Sequence, residues 1–116
     1  MKSAREKGFE GEQFAAKFLE ANGYRILERN YRTKSGEIDI IARKNKSIVF
    51  IEVKTRSTDS FGTPVEAVDR RKLAKLEDVA SQYIQKKKIE ETACRFEVVS
   101  ITKINGAWQC EIIPVD

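Results

Sequence analysis

The chain has 116 residues, a size typical of one domain, and 41% of them are hydrophobic, which argues against a disordered protein. Lys and Arg number 22 against 18 Asp and Glu, and the resulting charge of +4 permits a nucleic-acid partner without requiring one, since a solvated basic surface is an equal alternative. The sequence has no histidine, which excludes the usual general base of catalytic triads and the commonest ligand of transition metals.

The first predicted element is a helix from about Ala4 to Asn22, which Gly23 ends as a C-terminal cap. No signal peptide precedes this helix, and no apolar stretch approaches the ~20 residues of a membrane helix, so we expect a cytoplasmic protein without a membrane partner. Glu12 borders the apolar stripe of the helix. Solvation at the edge of the core explains such a residue as well as a functional role does.

Three extended segments follow the helix. They are predicted at Tyr24–Tyr31, where Arg25, Leu27 and Arg29 alternate with their neighbours, at Glu37–Arg43 and at Ser47–Lys54. A tight turn around Asn45 joins the second segment to the third. Residues 55–64, TRSTDSFGTP, are rich in turn-forming residues and predict a loop.

A second helix is predicted after this loop. The run Thr63-Pro64-Val65-Glu66 has the outline of a capping box, although Asp69 could instead begin a separate helix. Lys72 falls inside the apolar stripe of this helix, between Val68 and Leu76. A lysine in that position more often extends its charged end to solvent, and its functional interpretation is a contact to phosphate.

The last element is a hairpin of Arg95–Lys103 and Ala107–Val115, which turns at Asn105-Gly106. This register places Cys110 opposite Ile101 rather than near Cys94, so neither a disulfide nor a zinc site is expected. The order α-β-β-β-α-β-β predicts an α/β fold, with a mixed five-stranded sheet flanked by helices, in a single domain that spans residues 1–116.

The segment GEIDIIARKNKSIVFIEVKTRS, residues 36–57, carries acids in two neighbouring strands. If its turn has two residues, Lys44 pairs with Ser47 and Asp39 lies opposite Glu52, with Lys54 one step along the same face. A three-residue turn would place Asp39 on the other face. Opposed carboxylates repel each other, and a hard divalent cation such as Mg²⁺ or Mn²⁺ would relieve that repulsion.

Three strings, GEIDIIA, VFIEVKTRS and FGTPVEAV, make the chain resemble the YraN-like family of bacterial proteins over about Gly8 to Val99. That family belongs to the PD-(D/E)xK nuclease superfamily and is related to archaeal Holliday junction resolvases. The resemblance implies a restriction-endonuclease-like core, similar to that of the resolvases. It also implies that Asp39 and Glu52 are catalytic, metal-binding acids and that Lys54 is the motif lysine.

The same resemblance assigns further residues. Glu12 matches the first-helix acid of resolvase-like members, and Lys72 matches a basic position in the second core helix. Arg56 joins Lys72 as a candidate contact to nucleic acid, and the carbonyl of Val53 would complete the metal shell. These assignments predict a nuclease-like domain that uses Mg²⁺ or Mn²⁺.

Three functional interpretations follow from these residues. The first is a metal-dependent endonuclease acting on DNA, with branched DNA as a candidate substrate. The second is a non-catalytic nucleic-acid-binding or adaptor protein on the same scaffold, and the third treats the charged residues as a purely structural ion-pair cluster. The intact set of Asp39, Glu52 and Lys54 favours the first, whereas DNA against RNA, the shape of the substrate and a homodimer stay open.

Overall fold

The residues that the structure describes form two helices and five strands, in the predicted order. A computed structural model describes residues 4–56, 69–89 and 93–115. The elements are α1 (Ala4–Ala21), β1 (Arg25–Thr33), β2 (Gly36–Lys44), β3 (Ser47–Arg56), α2 (Arg70–Lys86), β4 (Ala93–Ile104) and β5 (Ala107–Val115). The α/β class and the order α-β-β-β-α-β-β are therefore confirmed.

The five strands form one mixed sheet in the order β1-β2-β3-β4-β5. Neighbouring strands are antiparallel except β3 and β4, which are parallel. A parallel pair needs a crossover connection, and α2 lies within that connection. The parallel strands β3 and β4 each have a neighbouring strand on both sides, and both are rich in buried apolar residues.

Each helix covers one face of the sheet and encloses its own apolar cluster. The α1-side cluster contains Ala15, Ala16, Leu19, Tyr24, Ile40, Ala42, Val49, Ile51, Val99 and Ile101. The α2-side cluster contains Ile38, Ile41, Ile48, Phe50, Leu76, Val79, Ala80, Tyr83 and Val98. Alternate residues of β3 therefore contribute to opposite clusters, and a polar residue late in this strand lies close to one helix or the other.

Helix α1 ends as the sequence predicts, and its middle part lies close to the end of β3. Gly23 has φ +87°, and the N–H of Tyr24 donates to the carbonyl of Leu19 at 3.0 Å, which closes a Schellman-type cap. At Gly11, a Cβ would lie 3.0 Å from Oγ1 of Thr55. The glycine permits this close approach of α1 to the carboxyl end of β3.

Helix α2 begins at the second of the two starts that the sequence allowed. Asp69 is its N-cap residue, and its carboxylate accepts a hydrogen bond from the N–H of Lys72 at 2.9 Å. The predicted capping box at Thr63-Pro64-Val65-Glu66 falls within residues 57–68, outside the residues that the structure describes. The lysine run predicted near the helix end lies there, since Lys86 is in the last turn.

Strand β1 departs from the predicted alternation. Leu27 packs against the α2-side cluster, whereas Arg29 donates to Gln13 of α1 on the opposite face. The prediction that Leu27 and Arg29 share a face is wrong, because the ladder to β2 shifts register between Ile26 and Glu28. An extra residue in one strand of an antiparallel pair changes the face of the residues that follow it.

The C-terminal hairpin has the predicted register. Asn105 and Gly106 both have positive φ, and Ile104 pairs with Ala107. Cys110 accordingly pairs with Ile101 in the β4–β5 ladder. Among the described helices, neither combines the length and the apolar character needed to span a membrane.

Candidate active site

The register of the β2–β3 hairpin brings the two acidic positions to the same level. Asn45 adopts φ +56° in a two-residue turn, and the ladder runs from the pair Lys44–Ser47 to the pair Ile40–Ile51. The predicted turn length is confirmed by this ladder. One further step along both strands reaches Asp39 and Glu52.

Beyond the pair Ile40–Ile51, the next N–H of β3 that points toward β2 donates to a side chain instead of to the main chain. The N–H of Val53 donates to Oδ2 of Asp39 at 2.8 Å. Strand β2 also loses strict alternation here, because Ile38 and Ile41 both pack in the α2-side cluster. This hydrogen bond fixes the carboxyl group of Asp39 against the main chain of β3, next to Glu52.

Burial and neighbouring acids raise the pKa of Asp39 to about 8. Desolvation of the carboxyl group is the largest cause, followed by its hydrogen bond to the Glu52 carboxyl group and by the negative charge of Glu52. The N–H of Val53 lowers the pKa, and the charge of Glu12 raises it further. At neutral pH in the absence of a cation, the pair of Asp39 and Glu52 therefore favours a state in which the two carboxyl groups share a proton.

Glu52 is buried on the α2 side and forms an ion pair with a lysine of that helix. The residue is 8% exposed, and Nζ of Lys72 lies 3.0 Å from its Oε2 atom. Lys72 reaches Glu52 from the first turn of α2, and its side chain remains 37% exposed. The ammonium group of Lys72 thus contacts the buried acid while the side chain stays partly exposed to solvent, and its contact to phosphate stays a prediction.

Glu12 belongs to the same electrostatic environment, from the α1 side. Burial raises its pKa, the charge of Arg29 lowers it, and the charges of Glu37 and Glu52 raise it. Arg29 donates from Nη1 to Gln13 at 3.2 Å, and its buried Nη2 atom has no hydrogen-bond partner within the described parts of the chain. Arg29 is the residue that the sequence interpretation missed, since no local pattern links a β1 arginine to an acid on α1.

The remaining predicted residues follow Glu52 along β3. Lys54 is half-buried and pairs with Ser100 of β4, and Arg56 is the last residue of the strand. Direct contacts join Asp39, Glu52, Val53 and Lys72, whereas Glu12 is linked by charge and Lys54 and Arg56 by their positions on the strand.

The donor set fits a hard cation that retains much of its own hydration. No group of three or more His, Cys, Asp or Glu side chains positioned to hold one metal ion occurs among the described residues. Asp39 and Glu52 present carboxyl oxygens close to each other, and the main chain at Val53 contacts the carboxyl group of Asp39. Mg²⁺ is commonly bound in this way, by one or two carboxylates with water and phosphate in the remaining positions.

Comparisons with known proteins show the family to which this chain belongs. The computed structure is similar to that of SfsA from Pyrococcus furiosus in complex with Ca²⁺, with a TM-score of 0.39, 14% identity, and coverage of 98% of this chain and 65% of that one. A UPF0102 protein from Fusobacterium nucleatum is 52% identical over 111 residues, which cover 96% of this chain and 93% of the relative. One from Moorella thermoacetica is 50% identical over 97 residues, which cover 84% and 81%. The model of "Uncharacterised protein family UPF0102" matches residues 11–101, and the chain therefore belongs to this family, the YraN-like family that the motifs indicate.

Proposed function

We propose that this protein is a Mg²⁺- or Mn²⁺-dependent endonuclease that hydrolyses phosphodiester bonds in DNA. The observation that carries the proposal is the hydrogen-bonded pair of Asp39 and Glu52, in which the pKa of Asp39 is raised to about 8. Holding two acids together away from water lowers stability unless a cation or a substrate uses them. A further acid, Glu12, adds to this unfavourable field rather than relieving it.

The metal would be held by Asp39 and Glu52, with the Val53 carbonyl as a third oxygen. When bound, a divalent cation stabilises the charge that develops on a phosphodiester and lowers the pKa of a bound water. This chemistry requires no imidazole, in agreement with a sequence that contains no histidine.

The protein's own groups would hold the site ready for this chemistry. The N–H of Val53 orients Asp39 through a 2.8 Å hydrogen bond, and Lys72 orients Glu52 through a 3.0 Å ion pair. Lys54 would place a compact positive charge beside the reacting phosphate, where it opposes the growing negative charge. Glu12 and Arg29 would complete the polar wall on the α1 side.

A cleavage assay on a panel of duplex, single-stranded and branched DNA and of RNA tests the proposal. Cleavage of a DNA member is expected with Mg²⁺ or Mn²⁺ and not in excess chelator, whereas Ca²⁺ should support binding better than cleavage. Asp39→Asn should remove the cleavage. Robust cleavage in chelator, or by the Asn variant, would contradict the proposal. Binding without cleavage under every condition would instead support the non-catalytic alternative.

A further inference from the structure

A groove of about 400 Å³ lies next to the candidate site, between the β1–β2 turn and the start of α2. Among the described residues, its polar lining consists of Glu37, Asp69, Arg71, Lys72 and Lys75. Lys72 is shared with the candidate site, since its Nζ atom lies 3.0 Å from Glu52. The groove is therefore continuous with the place where the reacting phosphate would lie.

The two acids in this lining already have partners. Glu37 forms a 3.0 Å ion pair with Arg32, and Asp69 accepts the N–H of Lys72 at 2.9 Å as the helix cap. By contrast, the exposed side chains of Arg71 and Lys75 form no ion pair with the residues that the structure describes. The charge that remains available to a ligand in the groove is positive, and it fits an anion.

The wall formed by the β1–β2 turn is held in place against α2. Gln82 donates to Oγ of Ser35 at 2.8 Å, which joins the helix to the turn. Gly36 has φ +149°, a conformation that other residues rarely adopt, and a Cβ there would lie 3.7 Å from Cγ2 of Val79. A groove with fixed walls loses little entropy when a ligand enters.

We propose, on the basis of the proposed function, that this groove holds the nucleic-acid strand next to the reacting phosphate. Arg71 and Lys75 bind neighbouring phosphates, with Lys72 at the boundary between groove and site. Among the residues that the structure describes, the groove lining contains no aromatic side chain on which a base could stack. The strand is therefore held by its backbone, independently of sequence, and DNA and RNA share the chemistry that is recognised.

The test measures affinity as a function of salt concentration, in chelator, so that it does not depend on turnover. Labelled single-stranded DNA, duplex DNA and RNA are titrated with wild type, with Arg71→Gln/Lys75→Gln and with a matched control, Lys17→Gln/Lys86→Gln. The control removes the same charge from exposed positions elsewhere. Loss of two phosphate contacts should weaken binding roughly tenfold at 0.1 M salt and flatten the slope of log affinity against log salt by about 1.4 to 1.8.

The result separates this inference from the proposed function. A groove variant that loses affinity and slope, with the control unchanged, supports the groove even if wild type cleaves nothing. The backbone bound most tightly by wild type, and most affected in the variant, identifies which nucleic acid the groove takes. A variant whose slope matches that of wild type or falls only as far as that of the control would overturn the groove assignment, whether or not wild type cleaves DNA.

Discussion

Two glutamates on adjacent strands are buried to a similar extent, but one is surrounded by hydrogen-bond donors and the other lies beside a second acid. Glu52 of β3 faces the α2 side and is 8% exposed, whereas Glu97 of β4 faces the α1 side and is 6% exposed. Glu97 accepts hydrogen bonds from the hydroxyl of Tyr24 at 2.7 Å and from Nε of Arg95 at 3.0 Å. Among the described residues, Glu52 forms an ion pair with Lys72 alone, and it lies beside the carboxyl group of Asp39.

The comparison shows that burial alone does not identify a functional acid. Both carboxyl oxygens of Glu97 have donors, and Nζ of Lys44 lies 5.0 Å from the centre of the Tyr24 ring, so this cluster is balanced within the protein. On the other side of the sheet, two carboxyl groups lie together and the pKa of Asp39 is raised to about 8. We therefore expect the Glu97 cluster to stabilise the fold and the Asp39–Glu52 pair to act on a ligand.

The largest expected effect concerns turnover. Lys54→Ala should lower turnover at saturation by a factor of 10² or more, about 3 kcal/mol in the barrier, because it removes a charge that acts in the transition state. Affinity for DNA should stay close to that of wild type, since most contacts to phosphate remain. Single-turnover kinetics with Mg²⁺ measure both quantities.

The matched control for this variant is Lys46→Ala, which removes an exposed lysine from the turn at the other end of β3. It should leave turnover unchanged. If Lys54→Ala mainly reduced affinity and kept wild-type turnover at saturation, Lys54 would act in binding. The proposed catalytic role of the site on the α2 side would then lose its support.

The second prediction compares the two glutamates directly. Glu97→Gln should cost about 2 to 3 kcal/mol of unfolding free energy, because Arg95 and Tyr24 lose the anion that both contact. Glu52→Gln should change stability by less than about 1 kcal/mol, because loss of the ion pair with the partly exposed Lys72 is offset by relief of Asp39, whose pKa Glu52 raises. Urea unfolding in chelator at pH 7 measures both values. Equal losses at the two positions would show that both acids are structural.

The sequence predicted what depends on local spacing. A two-residue turn at Asn45 fixed the β2–β3 register, and the glycine and asparagine of the last turn fixed that of β4 and β5. For this reason Asp39 and Glu52 could be placed at one level before the structure was known.

Long-range partners could not be predicted in the same way. Tyr24 and Glu97 are 73 residues apart, and their contact depends on where the end of α1 lies on the sheet. The position of Arg29 beside α1 depends on the register shift in β1, which no residue type announces. Packing of whole elements decided both contacts, and packing is not encoded in a short pattern.

The third prediction concerns pH in the absence of metal. The pKa of Asp39 rises from an ordinary 3.8 to about 8 on folding, so the folded protein binds more protons than the unfolded chain between these values. The contribution of Asp39 to stability is therefore most favourable below pH 4 and declines as pH rises toward 8. Between pH 5 and pH 8, wild type should lose at least about 1 kcal/mol relative to Asp39→Asn.

Urea unfolding of wild type and Asp39→Asn at several pH values in chelator measures this difference, and the other titrating groups largely cancel between the two proteins. Parallel stability profiles over this range would show that Asp39 has an ordinary pKa. The carboxyl pair would then be no less balanced than Glu97.

The smallest expected effect separates a metal site from an ion-pair network. Because the pKa of Asp39 is raised, the change Asp39→Asn replaces the protonated acid at nearly constant shape and keeps an oxygen for the N–H of Val53. Its stability in EDTA should equal that of wild type or exceed it by up to about 1 kcal/mol. Mn²⁺ should raise the melting temperature of wild type and not that of the Asn variant, because a ligand stabilises only the state that binds it.

Glu97→Gln serves as the control, since it should melt at a lower temperature in EDTA and still respond to Mn²⁺. A clear drop in the melting temperature of Asp39→Asn in EDTA, or a response to Mn²⁺ equal to that of wild type, would place Asp39 with Glu97 among the structural acids.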